Sequence, residues 1–327
     1  MTRRFLIYLF VIASVSGLVA SADDLEAVSI ALDWTPNTNH TGIFVAQDLG
    51  YFADAGLEVA VLQPGPTGSV QLVGSGHADF GVSMEEYVTM ARAQGIPVVS
   101  VAAVFPHNTS GFAAPADRGI VSPADFAGKR YGGWGSALEE VMIETVMGME
   151  GADPASVTMV NIGTIDFVTA VRRDLADFFW IFYGWQGIHA EIEGIEFTYI
   201  PLRELADVLD YYTPVIITSE EMIATRSETV RRFIGALACG YVYAATHPDE
   251  AAEILLAHAP ELDRDLVIAS QRWLADQGLK TVDGWGDQEL EVWARFADWA
   301  FANGLIDRPI DPEEAFTDGF VPAGEGE

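Results

Sequence analysis

The chain has 327 residues, 50% of them hydrophobic and 20% charged, enough apolar material for buried cores and too few charges for a disordered chain. With 48 acidic against 17 basic side chains the formal charge is −31, a surface that repels phosphate backbones and anionic headgroups and argues against nucleic acid as a partner. The length suits two domains of moderate size or one large one.

Residues 1–22 carry Arg3 and Arg4, an apolar run over 5–19 and a small-residue end at Ala20-Ser21-Ala22, the pattern of a secretory signal cleaved after Ala22. The run is short for a membrane span. From residue 28 onward, β-rich runs at 28–32, 57–62, 80–83 and 98–105 alternate with helical patterns near 42–53, 69–75 and 86–94, the βαβ rhythm of parallel sheets. A second α/β unit opens at 129–134 and continues with a helix over 137–149, a strand over 157–162, a helix over 166–174 and the aromatic run 178–183. A strand over 213–218 and helices over 227–247, 249–258, 264–277 and 287–303 follow, then a tail expected to fray from Gly319. Cys239, the single cysteine, sits in an apolar helical stretch, has no partner for an internal disulfide, and is expected as a small buried residue. Two α/β units before a long helical stretch suggest two lobes, with the chain crossing near Ser110 and returning near Tyr212.

One stretch is more specific: Leu32-Asp-Trp-Thr-Pro-Asn-Thr-Asn-His-Thr-Gly-Ile-Phe-Val-Ala46, followed by Gly50-Tyr51-Phe52 and Gly56-Leu57-Glu58-Val59. With Leu72-Val-Gly-Ser-Gly-His-Ala-Asp-Phe-Gly-Val-Ser83 and Gly95-Ile-Pro-Val-Val99, it resembles the NMT1/THI5-like family over about 28–306. The resemblance implies an α/β, two-lobed type II periplasmic-binding-protein fold with two crossover strands and ligand in the cleft. Expected boundaries are a signal at 1–22, lobe one at 23–112 plus 213–306, lobe two at 113–212, and a tail at 307–327. Exported members of the family resemble solute-binding proteins of ABC importers. The implied protein is therefore a periplasmic or extracytoplasmic monomer that serves a permease and ATPase complex.

Ligands of open parallel sheets sit beyond the carboxyl ends of strands, which places the 33–41 loop at the cleft. Trp34 offers a stacking face, and Asn37, Asn39 and His40 offer donors and acceptors for a heteroaromatic ring. The competing reading is a simple turn with Trp34 covering the core. Ser83 and Glu85 follow another strand end, where Glu85 can pair with an amino group; Glu86 reads as an ordinary first-turn acid favoured by the helix dipole. Asn108 lies at the first crossover, with Gly111 as a hinge, or belongs to a surface turn. Trp134 and Ser136 lie in Gly132-Gly-Trp-Gly-Ser136, whose amides can hold an anion or carbonyl before a helix but lack the lysine of a phosphate loop. In the densest aromatic cluster, Trp180 and Phe182 read as core, while Tyr183 and Trp185 emerge as ligand platforms, with Gly184 and Gly187 leaving room for a ligand. One of Tyr211 and Tyr212 at the return crossover reaches the ligand; Tyr212 is taken as the candidate.

The synthase branch of the resembling family carries a His-Cys-Cys-Cys-Phe-Cys run that is absent here, and the six histidines show no metal-ligand spacing. Paired acids such as Glu139-Glu140 and Glu220-Glu221 read as solvated helix faces. The expectation is a binding protein, with no enzyme activity, no cofactor and no metal, for a thiamine pyrimidine precursor of the formylaminopyrimidine or aminopyrimidine type. The alternatives are riboflavin or another flat heterocycle, or a sensor domain signalling to a membrane partner.

Overall fold

A computed structural model describes residues 25–323 apart from 64, 66 and 279. The expected signal at 1–22 lies outside the described residues. In chain order the first unit runs β1 (Glu26–Ala31), α1 (Thr41–Asp48), α2 (Tyr51–Asp54), β2 (Leu57–Leu62), α3 (Ser69–Gly74), β3 (Phe80–Ser83), α4 (Glu85–Ala93) and β4 (Val98–Ala103). The second runs β5 (Ser110–Pro115), β6 (Arg130–Gly133), α5 (Ala137–Met149), β7 (Thr158–Asn161), α6 (Phe167–Arg172), β8 (Phe178–Phe182), α7 (Ile188–Ile192) and β9 (Phe197–Pro201). The chain then returns as β10 (Val215–Ser219) and ends in α8 (Glu220–Thr225), α9 (Ser227–Thr246), α10 (Pro248–His258), α11 (Arg264–Ala275) and α12 (Leu290–Ala302).

These strands form two five-stranded sheets, one in each of two lobes, ordered β2-β1-β3-β10-β4 and β7-β6-β8-β5-β9. Both are mixed, where the sequence rhythm alone pointed to parallel sheets. β10 runs antiparallel to β3 and β4, and β5 antiparallel to β8 and β9. The cause is connectivity: each of these strands is entered by a segment arriving from the other sheet. It starts at the edge where its neighbours end and runs the opposite way.

The sequence of each strand matches its place. In β2 the apolar Leu57 and Val59 point inward while Glu58 and Ala60 face water, as an edge strand with one wet face requires. All six residues of β4 are buried. Its outer edge is closed by the C-terminal segment, where the Ser100 N–H donates to the Ala315 carbonyl and the Thr317 N–H to the Ser100 carbonyl, both at 2.9 Å. The fraying expected from Gly319 does not begin there, since Phe320 is buried under the guanidinium of Arg231.

Two cores result. Around the first sheet, Phe233 of α9 stacks on Phe80 with ring centroids 3.8 Å apart and on Phe52 at 5.2 Å. Around the second, Phe112, Phe126, Tyr131, Phe178 and Trp180 pack together, and Phe296 and Ala300 of α12 join them through Tyr211. Cys239 is only half-buried, and burial pushes its thiol pKa up. Gly111 has a packing role rather than the hinge role expected of it: a Cβ there would lie 2.4 Å from the Ile200 carbonyl oxygen and 2.7 Å from the Tyr199 ring. Gly111→Ala is expected to cost about 1–3 kcal/mol by overpacking the β5–β9 pair, measured by urea unfolding.

Candidate functional site

Between the sheets lies a cavity of about 300 Å³. It is built where strand ends converge, the usual ligand position of open α/β sheets. The first lobe supplies Asp33 and Trp34 after β1, and Met84, Glu86 and Tyr87 at the start of α4. The second supplies Gly132 and Gly133 at the end of β6 with Trp134 after it, the 162–165 loop after β7, and Phe179 to Phe182 with Gln186 at the end of β8. Trp134 and Trp180 form one wall, their centroids 5.5 Å apart and tilted by 41°. Trp34 is 42% exposed on the opposite lobe, ready to cover a ring laid against that wall.

The chemistry is concentrated in Glu86. Its side chain is buried at 3% exposure, one carboxyl oxygen has no hydrogen-bond partner, and it forms no ion pair among the described residues. Burial pushes its pKa up to about 8, so at neutral pH the group is mainly a neutral acid offering one donor and one acceptor. The indole N–H of Trp180 is also buried without a partner in the same cavity. Unpaired buried polar atoms lining a cavity are suited to completion by a ligand.

The structure brings Trp34 and Trp134 of the predicted residues to this cavity. Ser83 is buried in an adjoining cavity of about 330 Å³ that shares Asp33 and Tyr87, and its hydroxyl has no partner. None of the other predicted residues lines this cavity, and most of their side chains are engaged elsewhere. Asn37 accepts from the Asn39 N–H at 2.9 Å and donates to the Thr35 carbonyl at 3.0 Å. His40 Nδ1 accepts from the Asn37 N–H, so Nε2 donates to Asp33 at 2.7 Å; the Asn39 carbonyl accepts from Tyr241. The polar run of the motif thus fixes its own loop and holds Asp33 and Trp34 at the cavity.

Glu86, read as an ordinary first-turn acid, takes the cavity position expected of Glu85. Successive helical residues differ by about 100° in direction, so at the start of α4 one acid faces the cavity and its neighbour faces the return segment. Glu85 accepts the Tyr212 N–H at 2.7 Å, and the Tyr212 hydroxyl accepts the Glu289 N–H. Neither Tyr211 nor Tyr212 lines the cavity. Asn108 is a strut between the two inter-sheet segments: it donates to the Leu209 carbonyl and accepts from the Ser110 N–H and hydroxyl, while its own N–H donates to Asp210.

Tyr183 and Trp185 are not platforms in this arrangement. Residues 183–187 form a π turn docked on α11, with Tyr183 5.2 Å from Trp273, Trp185 packed on the first core, and Ser270 donating to the Gly184 carbonyl. Gly184 and Gly187 give room to Trp273 and Tyr183 rather than to a ligand. Trp180 belongs to the second core, as expected, and also lines the cavity; Phe182, expected as core, lines it as well, as do Phe179 and Gln186. Glu139, read as solvated, is 1% exposed and takes Ser136 as its partner, whereas Glu220 and Glu221 are exposed.

Two lobes, a mixed sheet in each, and an aromatic cleft at the strand ends define the two-lobed α/β fold of periplasmic binding proteins. The aliphatic sulphonate binding protein SsuA of Escherichia coli has this fold: its structure aligns with a TM-score of 0.72 at 15% identity, covering 92% of this chain and 94% of that one. Residues 37–251 match the family described as NMT1/THI5 like, and the chain belongs to that family. A formylaminopyrimidine-binding protein of Halalkalibacterium halodurans is 29% identical over 95% of this chain and 96% of its own. A 4-amino-5-hydroxymethyl-2-methylpyrimidine phosphate synthase of Legionella pneumophila is 28% identical over 90% of this chain and 92% of its own.

Proposed function

We propose that this protein is the extracytoplasmic solute-binding component of an ABC importer, exported by residues 1–22, and that it captures a thiamine pyrimidine precursor of the formylaminopyrimidine or aminopyrimidine type between its lobes. The observation that carries the reading is Glu86, a neutral buried acid with an unpaired oxygen beside tryptophan walls. An aminopyrimidine presents a ring nitrogen next to an exocyclic N–H, and an acid answers both with its O–H and C=O. The relative that binds formylaminopyrimidine supports that cargo. Several relatives are named synthases, so family membership leaves catalysis open. The single cysteine, set against the cysteine-rich run of the synthase branch, supports binding without catalysis.

Calorimetric titration with formylaminopyrimidine and 4-amino-5-hydroxymethyl-2-methylpyrimidine tests the assignment, with micromolar dissociation constants expected. Riboflavin is the comparison cargo. Tight riboflavin binding with quenched flavin fluorescence, and silence from the pyrimidines, would replace the cargo and keep the binding role.

Trp34→Ala is expected to weaken the pyrimidine by about 1–3 kcal/mol while leaving unfolding unchanged, because the exposed ring contributes a stacking face and little core. An unaltered dissociation constant would make Trp34 a surface residue. Cargo is also expected to close the lobes, since Trp34 and the Trp134–Trp180 wall reach one ring from opposite sides. Small-angle scattering with and without the pyrimidine should show a smaller radius of gyration when it is bound; identical curves at saturation would reject closure.

A further inference from the structure

The cavity wall after β6 holds a ready-made anion site, and the chain fills it with its own acid. One Glu139 carboxyl oxygen accepts from the Tyr131 hydroxyl at 2.7 Å and the Trp134 N–H at 3.0 Å. The other accepts from the Gly135 and Ser136 N–H groups, both at 2.8 Å, and from the Ser136 hydroxyl at 3.3 Å. Three consecutive backbone amides and two hydroxyls therefore converge on one group at the N-terminus of α5, the geometry that elsewhere receives a phosphate. An ordinary capping box needs only one of these donors. The backbone is shaped around the carboxyl as well: a Cβ at Gly133 would lie 2.0 Å from the Glu139 oxygen, and Gly135 has φ of +88°. Gly133 and Trp134 are also cavity wall, whereas Glu139, Gly135 and Ser136 lie outside the lining, so the filled nest borders the cavity through that wall.

We propose that Glu139 is a specificity-determining residue that occupies the anion-holding amides of the cleft wall and thereby excludes phosphorylated heterocycles in favour of their unphosphorylated forms. This rests on the pyrimidine reading for its cargo, but the occupancy of the nest does not. A phosphate ester entering the wild-type cleft meets a carboxyl of like charge and donors already taken. Both effects act against the ester and leave the neutral parent untouched. Shortening residue 139 frees the five donors together, and a free anion should then find them.

Two measurements test it. Thermal unfolding of wild type, Glu139→Ala and Glu139→Ser is followed with and without millimolar inorganic phosphate; serine leaves the same room with a hydroxyl that can hold water on the donors. Phosphate is expected to raise the midpoint of both variants by several degrees and to leave wild type unmoved; recovery of folding only in phosphate would be the same result in stronger form. Calorimetry then compares 4-amino-5-hydroxymethyl-2-methylpyrimidine with its phosphate ester. Wild type should prefer the parent by about a hundredfold or more, and the variants should lose most of that preference. Variants indifferent to phosphate, or a wild type that binds the ester as tightly as the parent, would overturn the proposal. If neither pyrimidine binds wild type while phosphate still stabilises the variants, the cargo assignment fails and the role of Glu139 as occupant of the nest stands.

Discussion

Glu86→Gln is expected to flatten the pH dependence of stability in the unliganded protein. The folded-state pKa of about 8 lies above the ordinary value of 4.5, so the native protein retains a proton that the unfolded chain has released. The stabilisation is therefore fully present below the unfolded value and is lost as pH rises from there through 8. The difference across that window is on the order of 4 kcal/mol for this one group. Glu85 shifts in the same direction, first through burial and in part through the Glu86 charge; it is present in both proteins, so only that Glu86-dependent part enters the comparison. Urea unfolding from about pH 5 to pH 8.5 gives the two curves, and parallel curves would show that Glu86 does not hold its proton. In the liganded protein, Glu86→Leu removes donor and acceptor together and should weaken an aminopyrimidine by about 2–3 kcal/mol.

Trp180→Ala should produce the largest combined loss. The ring is 5% exposed, packs on Phe112 in the second core and forms half of the cavity wall. Truncation is expected to cost about 3–5 kcal/mol of stability, which by itself would obscure any effect on binding. Trp180→Phe separates the two roles, because it keeps most of the packing and deletes the unpartnered N–H. A variant that folds with near-normal stability but binds the pyrimidine about tenfold more weakly would place that N–H on the cargo. Full affinity in Trp180→Phe would leave the indole as wall alone.

Much of the architecture was legible because it rests on periodicity. The strand runs at 57–62, 80–83 and 178–182 appear as alternating or wholly apolar stretches, and the glycine-rich turn before α5 marks a strand-to-helix corner. The direction of β5 and β10 was not legible, since it follows from which sheet the chain has just left rather than from any local pattern. The site was legible at its tryptophan loops. It was misread where neighbouring residues of one chemical type face different surroundings: Glu85 and Glu86 differ by one helical step, and Tyr183 and Phe182 straddle the end of β8. The amides of Trp134 to Ser136 were recognised as anion-holding, but their occupant lies a turn further along α5 and looked like one acid of a solvated pair. Sequence spacing indicates that a residue is near the cleft, whereas its facing is set by packing partners more than a hundred positions away, as with Glu85 and Tyr212.

The position of β10 bears on how the chain is made. This strand sits inside the first sheet, between β3 and β4, yet it follows the whole second sheet in sequence. A growing polypeptide can complete the second sheet once β9 has emerged, while the first still lacks an inner strand and the α9 ring of Phe233 that fills its core. The usual order of synthesis-coupled folding, N-terminal unit first, is thereby inverted. Chains arrested just after residue 212 should protect the β5–β9 region from protease more than β1 to β4, although the face that α12 covers is still open, and protection of β1 to β4 should arrive only with the segment through α9.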